Sequence, residues 1–317
     1  MTPGKAYLTS EEIRPLAQRP DLMGGWLVAH AYATIALALV LLSLWPNPLT
    51  FLLAVAVIGS RQLGLAILMH DAAHSALFKT RWLNEFAGVW LCGAPILAEM
   101  HAYRHYHLTH HRNTQQDGDP DLVLSRPFPT TRASLIRKFL RDLTGQTGLK
   151  LLARQIATHF RLAGDHDAKE EAEKKGAQAF KGGGLTAPLL SNVVIFLVMW
   201  AAGAWWWWLA FWFLPLMTWF QLVLRVRNIA EHGATEFSDN ALQNVRTTLA
   251  GPLLRLFVAP YWVNYHLEHH LIMHVPCWNL PKLHKAMIAK GHGTRMRVAE
   301  SYWQVLREVG WTRTARV

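Results

Sequence analysis

LMGGWLVAHAYATIALALVLLSLWPNPLTFLLAVAVIGS, residues 22–60, contains no Asp, Glu, Lys or Arg. One bilayer crossing needs about 20 apolar residues. The run therefore has room for two crossings, joined where Pro46, Asn47 and Pro48 interrupt it. A second charge-free run, Gly182–Leu224, repeats the pattern around Gly203 and Ala204. Core helices of soluble proteins carry a polar stripe along one side, and these runs have almost none. We read two helical hairpins, with spans at Trp26–Trp45, Leu49–Met69, Pro188–Ala202 and Trp205–Leu224.

Charge outside the spans sets their direction. Neither hairpin turn carries Lys or Arg, whereas Lys5, Arg14 and Arg19 precede the first span and both long polar regions are rich in them. Positively charged segments stay on the cytoplasmic side. Both termini and residues 70–187 and 225–317 are therefore expected in the cytoplasm, with Trp205–Trp208 at the outer interface. Arg61 is the one charged residue within a span, close enough to the cytoplasmic end for its head to reach the headgroups. Only 17% of residues are charged, against about 25% in an ordinary soluble domain. The formal charge of +11 suits anionic headgroups rather than nucleic acid.

The expectation is an all-α, multi-pass integral membrane bundle, a single domain over residues 1–317, with a cytoplasmic helical cap. Asn84–Met100 is apolar but broken by Gly and Pro, and is read as a re-entrant or interfacial helix. Ser134–Phe160 interleaves basic and apolar residues, as a helix lying on a membrane surface does. Asp165–Lys181 is densely charged and reads as an exposed helix or loop before a glycine joint. Two cysteines, Cys92 and Cys277, leave no disulfide framework, zinc ribbon or built-in iron–sulfur cluster. The first apolar run starts at Leu22 and is too long for a cleavable signal.

The chemistry lies in the histidines. HDAAH (residues 70–74) stands where the second span reaches the cytoplasm. HLTHH (107–111) follows the interfacial stretch, NIAEH (228–232) follows the fourth span, and HLEHH (266–270) lies towards the C-terminus. Residues three or four apart share a helix face, so each cluster aims its rings at one point. His105 falls opposite His107, and His101 is also off the face. Buried imidazoles without partners are destabilising, and converging protonated ones repel. A metal ion removes both problems, because it binds neutral imidazole. One ion takes about four to six ligands. Nine rings, His70, His74, His107, His110, His111, His232, His266, His269 and His270, therefore suit two ions, with Asn228 placed to complete a shell directly or through water. Asp71, Glu231 and Glu268 are interleaved as partners for the distal ring nitrogens. Imidazole alone admits zinc, copper, iron or nickel, and the HExxH arrangement of zinc proteases is absent.

HDAAH, HLTHH and HLEHH resemble the three histidine boxes of membrane fatty acid desaturases and their hydroxylase relatives. Asn228 and His232 resemble the extra pair that completes the site in acyl-CoA desaturases. The likeness runs from about Gln62 to His284, with Met273 standing where a proline is frequent. It implies a di-iron centre, dioxygen as co-substrate and hydrogen abstraction from a methylene of an apolar, lipid-like chain held in a tunnel. Electrons would come from a separate ferredoxin or cytochrome and its reductase, since no haem domain, nicotinamide fingerprint or cysteine cluster is present. Desaturation of a fatty acyl or lipid chain is the leading expectation. Hydroxylation or ketolation of a carotenoid, alkane or other apolar molecule shares the same boxes. A metal transporter would carry ionisable residues within its spans, where only His30 and Arg61 occur.

Overall fold

A computed structural model describes residues 6–164 and 184–311. The run Asp165–Lys181 lies outside the described residues. Regular structure among them is helical, apart from one parallel bridge pairing Thr247–Thr248 with Val298–Ala299. The chain falls into two compact units. One comprises Arg19–Leu108 and Arg141–Val223, the other Met1–Gln18, Thr109–Leu140 and Leu224–Val317.

The first of these holds the apolar hairpins. Helix α1 (Asp21–Leu44) and helix α2 (Pro48–Ala73) are joined at the expected break. Asn47 caps α2 by accepting from the amides of Leu49 and Thr50, and Pro48 occupies the first turn, where its missing N–H is harmless. Of the two helices, α2 is the more buried. Leu37 on α1 is 68% exposed, and apolar surface of this kind belongs against lipid. Helix α3 (Met100–Asn113) carries the second box, and helix α4 (Gln146–Gly164) is amphipathic. Its Leu149, Ile156 and Phe160 stand exposed beside exposed Lys150 and Arg154. A side chain at Gly148 would come within 2.7 Å of the Met217 carbonyl oxygen, so α4 seats directly on that backbone.

The second hairpin departs from two regular spans. Helix α5 (Thr186–Ala202) has 17 residues, a rise of about 25 Å against a hydrocarbon core of about 30 Å. Beyond Gly203 the chain runs from Trp206 through a π-helical turn, Leu209–Phe213, and a break at Thr218 into helix α6 (Trp219–His232). Among the described residues, three helices are thus long and apolar enough to cross a membrane: Asp21–Leu44, Pro48–Ala73 and Trp206–His232. The last reaches the histidine itself, well past the expected end at Leu224.

Buried polar side chains repair the backbone at these breaks, as an apolar medium requires. Gln62 donates to the Trp212 carbonyl in the π turn at 2.8 Å. Residues 84–100 form a helix, a π turn and a 3-10 turn rather than one helix. The Trp212 indole donates to the freed carbonyl of Pro95, and Asn192 to those of Ala94 and Pro95. Arg61 is 3% exposed, enclosed by protein rather than extended to headgroups.

The end of α2 is held by a strut. Arg104 donates to the carbonyls of Ala73 at 2.8 Å and Ala72 at 3.2 Å and pairs with Glu85 at 2.7 Å. Asn84 also donates to Ala72. These carbonyls have no intrahelical partner, and His70 and His74 lie within a turn of them.

The other unit packs Phe128, Leu135, Ile229, Ala299, Val305 and Val309 into a small core. It contains helix α7 (His266–Leu271), helix α8 (Leu280–Ala289) and helix α9 (Tyr302–Trp311). Arg246, 1% exposed, donates to the carbonyls of Ile229, Ala230 and Gly233 and so caps α6.

Removing the strut should loosen the first box. Arg104→Ala should lower stability by about 1.5–3 kcal/mol, the range for hydrogen bonds to a charged group. Arg104→Lys should restore less than half, because an ammonium cannot reproduce the fork. Thermal unfolding of the purified protein in detergent reads both.

Candidate metal centre

In the hairpin-bearing unit, His70 sits on the last turn of α2 and His74 caps it. Their ring centroids are 5.0 Å apart, and each approaches the His107 ring, at 4.6 and 5.0 Å. Tyr103, one turn earlier on α3, stacks on His107 at 5.0 Å. Asp71 Oδ1 lies 3.4 Å from His70 Nδ1.

In the other unit, His110, His232, His266 and His270 form a tight group whose donor atoms lie within 4.8 Å of one another. His266 Nε2 is 2.9 Å from His232 Nε2 and 3.1 Å from His270 Nε2. His269 Nε2 meets His111 Nε2 at 3.0 Å. Spacing explains the convergence: α7 presents positions i, i+3 and i+4 to one side. His101 and His105 are exposed, as the helical face requires. Asn228 lies half-buried on α6, one turn before His232.

Supporting hydrogen bonds set the tautomers of two rings. Asp119 Oδ1 lies 2.8 Å from His110 Nδ1, with Asp121 Oδ2 at 3.6 Å. A carboxylate only accepts, so Nδ1 carries the proton and Nε2 faces the group. Burial opposes charge on this ring, but Asp121 and Asp119 outweigh it and leave its pKa above the usual imidazole value. The Thr114 hydroxyl donates to the His110 carbonyl at 2.9 Å and stands 3.2 Å from His270 Nδ1. It therefore accepts from His270, whose Nε2 is again left with its lone pair. Burial, then the neighbouring histidines, push the His270 pKa well down, so this ring is neutral. Gln115 donates to the His232 carbonyl and to Thr235, locking the end of α6.

Such a donor set fits a cation. Two neighbouring ligands on one ion, each bonded at about 2.1 Å, stand about 3 Å apart, and the three Nε2 separations are 2.9, 3.0 and 3.1 Å. Imidazole lone pairs facing each other at that distance repel unless a proton or a metal stands between them. His232 turns its Nε2 to His266 at 2.9 Å, which makes that nitrogen the ring's point of attachment.

Two interleaved acids do not stand behind box rings. Glu268 is fully buried and turned to the Thr247 hydroxyl and to His284 Nδ1, so it ties α7 to α8 and to the parallel bridge. Glu231 approaches His266 from the Nε2 side, at 3.5 Å. Asp119 and Thr114, in turn, were not singled out by spacing. The acid-rich DGDPD run, residues 117–121, just after the second box was their available signal. Its loop turns at Gly118, φ +94°, and is folded by Asp119 accepting from the amides of Gln115 and Asp121.

Known proteins are similar to this chain over most of its length. The dihydrorhizobitoxine desaturase of Bradyrhizobium elkanii is 28% identical over 284 residues, covering 84% of this chain and 76% of that protein. The beta-carotene ketolase of Paracoccus sp. (strain PC1) is 25% identical over 90% of this chain and 98% of its own length. An sn-1 oleoyl-lipid 12-desaturase of Picosynechococcus is 24% identical over 94% and 84%. The profile described as fatty acid desaturase matches residues 42–300, which include every histidine of the four clusters. With helices apolar enough for a bilayer and two sets of inward-facing imidazoles, the chain is an oxidoreductase that belongs to the fatty acid desaturase family.

Proposed function

We propose that the protein is a di-iron, dioxygen-dependent desaturase of an apolar chain, working at the cytoplasmic face of the membrane as one catalytic domain over residues 1–317. The observation that carries this is the four-ring group, with its Nε2 atoms together and two of its Nδ1 atoms committed to Asp119 and Thr114. His110, His232, His266 and His270 are assigned to one ion. His70, His74, His107, His111 and His269 are assigned to the other, with Asn228 completing a shell. His107 and His111 are four residues apart on α3, which supports their sharing of an ion.

The irons, when bound, supply the two-electron activation of dioxygen and the abstraction of hydrogen. The residues of the chain supply position. Asp119 and Thr114 hold rings in the ligating tautomer. The Arg104 strut fixes the end of α2, and Arg246 fixes that of α6. Desaturation takes two hydrogens from adjacent carbons and, with dioxygen, two electrons and two protons, yields an alkene and two waters.

The topology completing this reading has four spans, α5 being the short one, with both termini and the helical cap in the cytoplasm. The exposed basic and apolar faces of α4 support its placement at the membrane surface. Electrons arrive from a separate ferredoxin- or cytochrome-type carrier and its reductase. One relative is named as a ferredoxin-linked acyl-lipid omega-3 desaturase. With an acidic carrier docked on basic surface, turnover should fall several-fold between low and high salt. A salt-independent rate would contradict that docking mode.

The ketolase among the relatives, matched over 98% of its length, favours one second reading: oxygen insertion into a similar apolar molecule. Product mass separates them. Desaturation lowers it by two hydrogens, and hydroxylation raises it by one oxygen.

His110→Ala and His269→Ala should each abolish turnover and reduce bound iron while leaving membrane insertion intact. His105→Ala should keep full iron, since that ring points outward. Asp119→Ala should keep the ligand but lower iron affinity or activity about 10–100-fold, as loss of a supporting acceptor does. Iron content of the purified variants, measured beside turnover, decides among these outcomes.

A further inference from the structure

Glu231 differs from every other acid near the histidines. A supporting carboxylate stands behind its ring, as Asp119 does at His110 Nδ1. Glu231 Oε2 stands instead 3.5 Å from His266 Nε2. That is the nitrogen which meets His232 Nε2 at 2.9 Å and His270 Nε2 at 3.1 Å. The carboxylate thus lies on the inner side of the group, where lone pairs converge.

Its placement is built. Glu231 is 3% exposed. It occupies the last turn of α6, whose carbonyls Arg246 caps, and its own carbonyl accepts from the Arg246 amide at 2.9 Å. Arg227, one turn back, donates to Oε1 at 2.6 Å, which fixes the carboxylate plane and leaves Oε2 directed at the rings. The Tyr302 hydroxyl is buried without a hydrogen-bond partner among the described residues and feels the Glu231 charge. Burial first, and then the Glu231 charge, hold its pKa above the ordinary phenol value.

We propose that Glu231 supplies an oxygen ligand to the ion held by His110, His232, His266 and His270, making that site four imidazoles and a carboxylate. The assignment rests on the two-ion reading above. Four neutral imidazoles leave the charge of a divalent ion uncancelled inside the protein, and Arg227 adds another positive charge nearby. One carboxylate between them removes most of that repulsion. Carboxylate and imidazole together suit iron. The two ions then differ: one has an anionic ligand, and the other is ligated by neutral groups.

The test uses full-length protein loaded with iron in detergent or nanodiscs. Iron per chain is measured after dialysis against a graded chelator, alongside Mössbauer spectra. Wild type should show two distinct iron environments. Glu231→Gln keeps the shape and the acceptor for Arg227 but removes the charge. It should lose one of the two irons at about 10–100-fold less chelator, and the corresponding spectral component with it. Glu231→Asp should restore part of the retention. Unfolding temperature and elution profile for the Gln variant should stay near wild type, since its hydrogen bond to Arg227 survives. If Glu231→Gln and Glu231→Ala both retain two irons with wild-type chelator resistance and unaltered spectra, the assignment is overturned while the two-ion reading stands. If wild type itself holds no iron at the four-histidine group, both fall together.

Discussion

Two imidazole nitrogens, on His232 and His270, lie 2.9 and 3.1 Å from the Nε2 of His266. Rings that turn lone pairs towards one another repel, as protonated rings do, and a shared proton or a bound cation removes that repulsion. The fold around these rings limits how far each can turn away from the others. Arg246 caps one contributing helix. Glu268, tied to Thr247 and His284, anchors another. Gln115 closes the loop that carries Asp119. None of these need touch an ion, and each limits how far a ring can turn away.

The same economy governs the apolar part. Helices in lipid must satisfy their own backbone, yet this chain breaks its helices at Ala87–Gly93, Ala94–Ile96 and Leu209–Phe213. Gln62, Asn192 and the Trp212 indole supply the missing donors. Buried polar residues in the spans, which suggest a transport path when read in isolation, here mend irregular backbone that carries the chain towards the second box.

Much of this was legible beforehand because it depends on local periodicity. Charge-free runs gave the hairpins, Pro46, Asn47 and Pro48 gave the turn, and spacing separated His107 from His105. What escaped depends on chain direction after a turn. Asp119 is nine residues from His110 and reaches it through a loop that turns at Gly118, where φ is positive. Glu231 and Glu268 both sit inside histidine clusters, and spacing gave them one role. The structure turns one towards the rings and the other towards His284. The apolar run ends at Leu224, but α6 continues beyond it as a polar helix to His232. Sequence does not show whether Arg61 reaches the headgroups, lies beyond the lipid or is enclosed by neighbouring helices, as its burial shows it to be.

Because α2 is one uninterrupted rod from its Asn47 cap to the box at its other end, its length is a fixed dimension. Adding one residue anywhere within it would raise His70 by about 1.5 Å and swing it by about 100°, away from His107. The turn before it has no such restriction. Evolution of this chain is therefore free to lengthen the turn at residues 46–48 and vary the exposed apolar side chains, but insertions and deletions between Asn47 and His70 are closed to it.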